Sequence, residues 1–331
     1  MSVLRDQPAL TFPTDLLRAS VLGAPHRCTV QDSWHGHIPF AFWCVESLAP
    51  RVLVELGCHR GDSYCAFCQA VDEQSLDTRC FGVDTWRGDA QAGQYGEEVY
   101  EELKLYHDPR YGRFSKLIRS TFDEALAEFP DQGVDLLHID GAHSYEAVRH
   151  DFATWLPKVS RRGVVLFHDI AVRDEGFGVW RLWEELRGAY PSFTFLHSHG
   201  LGVLAVGPSP PEALRRLTSL DPREAEDVRL LFRRLGDAVA LEDERRKRGA
   251  VESALQDVTD RFGRLVALQD AERNGFLAER KDHLAEKNTL LAERRALLGS
   301  TSWKVTAPLR FAGGLLKRLR GGGGDGGDPA A

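Results

Sequence analysis

The chain has 331 residues, 43% of them hydrophobic and 27% charged, with a formal net charge of -7. That length allows one large α/β domain plus an appendage, and the acidic balance lacks the basic footprint of a nucleic-acid binder. No apolar run approaches the ~20 residues of a membrane span, and no basic region followed by an apolar core opens the chain, so the cytoplasm is the expected compartment.

Residues 1–50 read as a lead-in or cap containing Trp34-His35-Gly36-His37-Ile38-Pro39-Phe40. From 51 to 207, short apolar runs alternate with amphipathic segments, the pattern of a parallel sheet with crossover helices. The predicted strands are 51–56, 80–84, 116–119, 134–139 and 163–168. A further pair, 193–198 and 201–206, is separated only by His199-Gly200 and predicts a closing antiparallel hairpin.

The first strand runs into Glu55-Leu56-Gly57-Cys58-His59-Arg60-Gly61. Glycines there permit a tight strand-to-helix turn and close approach of a ligand to the backbone. The pattern is acid-x-Gly-x-x-x-Gly, not the Gly-x-Gly-x-x-Gly that receives a pyrophosphate. An acid in the turn repels phosphate and suits a cationic ligand such as an amino-acid sulfonium. Cys65-Ala-Phe-Cys68 follows without a second pair, so core packing is the reading for it rather than zinc. The second strand ends in Gly82-Val83-Asp84, where a carboxylate can meet ribose hydroxyls. The loop carrying Trp86, Arg87, Asp89 and Tyr95 is expected to cover the ligand.

The fourth strand ends in Asp140-Gly141-Ala142-His143 and the fifth in His168-Asp169. Ligands of open α/β sheets sit beyond the carboxyl ends of the strands, which makes these four polar residues the candidates for chemistry. His138 points to the opposite face from Ile139 and should pack beneath a helix. His150 and Asp151 read as a solvated helix face. His35, His37, His197 and His199 are candidates for an acceptor pocket, with a surface position the expectation for each.

After Pro211 the chain turns to Leu, Arg, Glu and Ala. Val251, Leu255, Val258, Phe262 and Leu265 follow a 4-3-4-3 spacing, a coiled-coil seam. Leu277, Leu284, Leu291 and Leu298 recur out of phase with it, and Gly275 between the two series predicts a stutter or break. Lys281, Asn288 and Arg295 weaken the second half. Residues 208–300 thus form a helical region expected to make a homo-oligomer, the competing reading being a helical hairpin packed on its own domain. Residues 301–331 pair Lys304, Arg310, Lys317, Arg318 and Arg320 with Trp303, Phe311, Leu315, Leu316 and Leu319. That mixture suits an anionic membrane surface, and a Gly-rich tail, 321–331, closes the chain.

These motifs together, Val54-Glu55-Leu56-Gly57, Gly82-Val83-Asp84-Thr85-Trp86, His138-Ile139-Asp140-Gly141-Ala142-His143-Ser144-Tyr145 and Phe167-His168-Asp169, carry a resemblance. Over roughly 35–207 the chain resembles a class I S-adenosylmethionine-dependent methyltransferase. Within that fold it is similar to the family of macrocin-type sugar O-methyltransferases and cephalosporin-hydroxylase-like proteins. The helical region with Ser302–Arg310 more loosely resembles tails of bacterial polysaccharide-assembly enzymes. The fold class implied is α/β: a Rossmann-like, doubly wound and mostly parallel sheet with an antiparallel terminal hairpin, then the C-terminal coiled coil.

By that resemblance, Glu55, Gly57 and Gly61 surround the methionine part of S-adenosylmethionine, Asp84 holds the ribose, and Ser120 meets the adenine edge. Asp140, with positions 168 and 169, holds Mg²⁺ or Mn²⁺, and His143 is the base for a sugar hydroxyl of a surface glycan or its precursor. The sequence departs from the pattern at His168, because magnesium prefers oxygen ligands and imidazole suits transition metals. His168 is then a neighbour of an Asp140/Asp169 site, a ligand to a softer ion, or part of a metal-free site. Two other functions compete: a non-catalytic scaffold organised by the coiled coil, and an iron-dependent hydroxylase using His168 with Asp140 and Asp169.

Overall fold

The computed structural model describes residues 12–89 and 93–320. The Gly-rich segment 321–331 lies outside the described residues, as do the side chains of Asp89, Leu315, Lys317, Arg318, Leu319 and Arg320. In chain order the elements are α1 (Ile38–Leu48), β1 (Val52–Leu56), α2 (Asp62–Glu73), β2 (Arg79–Asp84), β3 (Gly88–Asp89), β4 (Gly93–Gln94), α3 (Glu97–Tyr111), β5 (Ser115–Arg119), α4 (Phe122–Ala125), β6 (Val134–Ile139), α5 (Tyr145–Trp155), β7 (Val159–His168), α6 (Val179–Leu186), β8 (Ser192–Phe195), β9 (Leu201–Ala205), α7 (Glu212–Leu217), α8 (Pro222–Gly299), α9 (Thr301–Val305) and α10 (Ala307–Arg320).

Seven strands form one sheet in the order β5-β2-β1-β6-β7-β9-β8. The first five are mutually parallel, while β9 pairs antiparallel with both β7 and β8. From β1 the chain winds outward to β2 and β5, then returns to β6 on the other side. The strand order therefore reverses between β1 and β6, where a doubly wound sheet opens its ligand crevice. Strands covered on both faces read as continuous apolar runs. In β6 every side chain is buried, the two polar ones included. Asp135 is held by Arg51 and Ser160, and His138 by the partners described below.

One apolar cluster packs α1 and α2 against the sheet with Phe40, Trp43, Phe67 and Leu103. The opposite face carries Phe152, Trp155, Phe167 and Trp183 from α5, β7 and α6. The lead-in is thus part of the domain core: α1 is buried on nearly every side, and Phe232 of α8 stands edge-on to Phe40 with ring centroids 5.5 Å apart. The chain divides into two compact units, the first ending at Arg248 and the second starting at Gly249.

Three details differ from expectation. Strand β8 ends at Phe195, so the turn of the terminal hairpin is five residues, 196–200, not two. Ser198, His199 and Gly200 all have positive φ, 47°, 66° and 89°, and the turned-in Ser198 carbonyl is used by two histidines. Helix α8 runs through Gly275 without a break, because a lone glycine costs only ~1 kcal/mol relative to alanine in a helix. The helix is accordingly not a hairpin. Asp151 and the histidines 35 and 37 are buried rather than solvated. Asp151 lies under Gly141, since a Cβ built there would stand 3.6 Å from Asp151 Oδ2.

Candidate active site

The β1–α2 turn is built by two glycines and one carboxylate. Gly57 has φ of 90° and Gly61 of 81°, values that L side chains adopt only with strain. Gly57 also leaves no room for a side chain: a Cβ would come within 2.1 Å of the Asp140 carbonyl oxygen. The turn after β1 and the end of β6 are thus pressed together at the switch point, with Gly57 N donating to Val83 O and Asp140 N to Leu56 O, both at 2.9 Å.

Asp84 holds this turn in place. Its Oδ2 accepts from the Cys58 and His59 amides at 2.9 Å each, and its Oδ1 accepts from Trp86 N at 2.7 Å. A carboxylate has about four lone-pair positions, so one remains for a ligand. Expected as a ribose contact, Asp84 lines the cavity but spends most of its capacity on the backbone.

Glu55 stands deeper than expected. Fully buried, it accepts from Ser63 Oγ at 2.8 Å and bonds His138 Nδ1 at 2.9 Å. Trp34 Nε1 in turn donates to His138 Nε2 at 3.3 Å. Burial pushes the Glu55 carboxyl up, against the pull of His138 and Ser63. Ser63 and Trp34 line the cavity, whereas Glu55 and His138 brace them from beneath. His138 packs under α2 against Phe67, as its strand position implied. Ser120 is not in the wall; its neighbours Thr121 and Phe122 are. Thr121 caps α4 in a capping box with Glu124. Of the expected lid residues, Tyr95 lines the cavity beside His59, with ring centroids 4.6 Å apart. Trp86 is instead buried in the turn, donating from Nε1 to His59 O at 2.9 Å.

All of these walls belong to one cavity of about 480 Å³, which also contains Asp140, His143, His168, Asp169, Phe177 and His199. Here the sequence candidates come together. His143 Nε2 lies 2.8 Å from Asp169 Oδ2 and 3.6 Å from Asp140 Oδ1. His168 Nδ1 lies 3.3 Å from Asp140 Oδ1 and 3.4 Å from Asp169 Oδ2. His199 Nδ1 reaches the other Asp169 oxygen at 3.1 Å. Burial disfavours the charged form of His143, but hydrogen bonds to Asp140 and Asp169 outweigh it and raise the imidazole to about 10. Burial likewise opposes charge on His168 and is outweighed by the same two carboxylates. Both aspartates are held below the usual carboxylate range, the histidines overcoming their burial. Phe177 stacks on His143 at 4.9 Å. His199, a candidate for the acceptor pocket, lines the cavity, whereas the Ser198 carbonyl and Trp34 had no local signal in the sequence, because both act across the fold.

Asp140, His143 and Asp169 bring ligand-type atoms within 4.8 Å of one another. The donors for an ion here are carboxylate oxygens mixed with imidazole nitrogens, whereas magnesium takes oxygens in near-ideal octahedral geometry. The two carboxylates could hold magnesium with waters completing its octahedron, whereas the imidazoles beside them suit a transition ion.

The strand order, the glycine turn at the switch point and the antiparallel terminal pair define the Rossmann-like methyltransferase fold. Residues 54–170 match the family model described as a methyltransferase domain. Among individual proteins, the uncharacterized protein y4gI of Sinorhizobium fredii is 51% identical over 196 residues, which are 59% of this chain and 22% of that protein. The chain thus spans about a fifth of the length of this curated relative. Similar solved structures include the O-methyltransferase TomG from Streptomyces achromogenes, in complex with SAM. It is 14% identical, covers 55% of this chain and 91% of its own, and gives a TM-score of 0.40. The SAH-bound methyltransferase PaMTH1 of Podospora anserina gives 12%, 54%, 88% and 0.40.

Proposed function

We propose that the chain is an S-adenosylmethionine-dependent O-methyltransferase acting on a sugar hydroxyl of a bacterial surface polysaccharide or glycan precursor. The observation that carries this reading is the continuity of one cavity from the Gly57–Gly61 turn to the Asp140/His143/Asp169 cluster. Its lining holds Asp62, Asp84, Asp140 and Asp169 beside Arg60 and the raised imidazoles of His143 and His168; the histidines offset Asp140 and Asp169, so the turn end, with Asp62 and Asp84 against Arg60, is the part that favours a cationic group.

When bound, S-adenosylmethionine supplies a methyl group on a sulfonium. Gly57, Gly61 and the free capacity of Asp84 would hold it, and Ser63 stands beside them on its Glu55–His138 brace. The acceptor side belongs to His143, Asp169, His199 and the rings of Phe177 and Trp34, an aromatic and polar mixture suited to a sugar ring. Lining up the acceptor oxygen for in-line attack is the chain's first contribution. The second is removal of the hydroxyl proton. We assign that role to His143, which lines the cavity and is oriented through Nε2 by Asp169 at 2.8 Å; its Nδ1 is enclosed and without a hydrogen-bond partner, the nitrogen that a bound acceptor would have to reach.

The observed carboxylates give the proposed catalytic fold a use that a scaffold lacks. Val251, Leu255, Val258, Phe262 and Leu265 are exposed along α8, in a spacing that suits association with a second copy. The basic, apolar segment α9–α10 suits a peripheral contact with an anionic membrane from the cytoplasmic side. No helix among the described residues is long and apolar enough to cross a membrane. The activity is tested by offering methyl-labelled S-adenosylmethionine with sugar acceptors and bacterial glycan extracts. Transfer by the wild type, lost in His143→Ala with cofactor binding retained, supports the reading; equal labelling by both removes His143 as the base.

A further inference from the structure

We infer that Asp62 is a positioning residue that ties the segment 29–35 across the cofactor turn, and that this strap, from outside the matched domain 54–170, retains the S-adenosyl ligand and its thioether product. This role deepens the methyltransferase reading of the same site and rests on it for the ligand, not for the tether.

Asp62 stands where a ligand contact would be expected: it follows Gly61, opens α2 and lines the cavity. Its carboxylate is nonetheless taken up elsewhere. Oδ1 accepts from Thr29 N at 2.6 Å and from His35 Nε2 at 3.0 Å, and Oδ2 accepts from Thr29 Oγ1 at 2.6 Å. Of about four lone-pair positions on a carboxylate, most therefore go to the two ends of one short segment. Asp62 is only 6% exposed, and charge-assisted bonds shielded from water are the strong ones.

Between those two ends lie Gln31, Ser33 and Trp34, all in the cavity wall. Residues 29–32 belong to no helix or strand, so side-chain ties from other elements fix their place. Arg27 Nε donates to the Arg60 carbonyl at 2.9 Å, Lys247 Nζ of α8 to the Thr29 carbonyl at 3.2 Å, and Trp34 Nε1 to His138 Nε2 at 3.3 Å. The Asp62 bonds to Thr29 are shorter than any of these. Arg60 and Asp62 flank Gly61, so the ties from Arg27, Thr29 and His35 all land on the turn that the proposed cofactor would occupy. A segment without regular backbone bonding opens at little free-energy cost unless it is held. One carboxylate gripping both ends makes this segment a wall.

The test uses the full chain, first free and then with ligand. Amide hydrogen exchange of the free protein reads the tether directly, because the Thr29 N–H is itself a donor to Asp62. Asp62→Asn should speed exchange across 29–35 at least about tenfold while β6 and β7 stay protected. Release of S-adenosylhomocysteine, followed by stopped-flow chase, should quicken at least about tenfold in the same variant. Thr29→Val keeps the charge of Asp62 and removes only the hydroxyl; it should quicken release about threefold, and Thr29→Ser should keep the wild-type rate. S-adenosylhomocysteine lacks the sulfonium charge, so faster release of S-adenosylmethionine alone would make Asp62 an electrostatic partner of the ligand and overturn the inference. Unchanged exchange at 29–35, or faster exchange with unchanged release of S-adenosylhomocysteine, overturns it as well. A wild type that binds no S-adenosylhomocysteine, with exchange behaving as expected, sinks the methyltransferase reading and leaves the tether standing.

Discussion

Replacing Asp84 by asparagine should damage the protein twice, because this carboxylate both shapes the glycine turn and faces the cofactor cavity. Oδ2 accepts two amides, from Cys58 and His59, and Oδ1 a third, from Trp86. An amide side chain can satisfy one end only. With its oxygen toward the turn, its NH₂ confronts the Trp86 amide; flipped, it confronts two amides. A hydrogen bond to a charged group contributes roughly 1.5–3 kcal/mol, and a buried donor left unpaired costs roughly 1–3 kcal/mol. The expected destabilisation is therefore about 3 kcal/mol. Urea unfolding followed by tryptophan fluorescence measures it, with Trp86 buried beside the altered group. Calorimetry with S-adenosylhomocysteine should show affinity reduced by roughly tenfold or more, since about 1.4 kcal/mol corresponds to each factor of ten. Wild-type stability with lost affinity would mean that Asp84 is a ligand contact and not the keystone of the turn. Unchanged stability and affinity together refute the reasoning altogether.

Three further outcomes follow from the same geometry. His143, raised to about 10 by Asp140 and Asp169, holds its proton at neutral pH, so turnover in the metal-depleted enzyme should climb as pH rises from 7 toward 10. Asp169→Asn should move that climb to lower pH, and a profile that stays put in the variant contradicts the assignment. Burial raises Asp151 from 3.8 to about 6; the folded state then binds the extra proton, so stability from this group is present below about 4 and lost as pH rises through 6. Its size is about 3 kcal/mol, and thermal melts should show Asp151→Asn gaining on the wild type between pH 4 and 8; a constant difference argues against it. Leu255→Asp with Phe262→Asp should lower the oligomeric state seen by light scattering while transfer to a small acceptor persists, and an unchanged mass removes the seam as an interface.

Most of the sheet was legible in the sequence because buried parallel strands announce themselves as apolar runs, and Gly57, Asp84, Asp140, His143 and Asp169 because each follows such a run. All five line the cavity. What escaped depends on contacts between distant segments. Glu55 reads as a wall residue from its place in the turn, yet His138, 83 positions away, holds it underneath. The five-residue turn 196–200 was hidden because Leu196 and His197 continue an apolar, β-prone pattern; the demand of His37 and His168 for the Ser198 carbonyl ends the strand early. Asp151 reads as solvated on an amphipathic helix, but α5 turns that face toward the loop after β6. Gly275 breaks a heptad on paper and leaves the helix itself intact.

The central claim is that the Gly57–Gly61 turn is a cofactor cradle, and calorimetric titration with S-adenosylhomocysteine tests it most directly. The account predicts saturable binding of one molecule per chain in the wild type. It predicts severe loss of that binding in Gly57→Ala, whose added Cβ would fall 2.1 Å from the Asp140 carbonyl oxygen. No binding to the wild type, or equal binding to a folded Gly57→Ala, would contradict it.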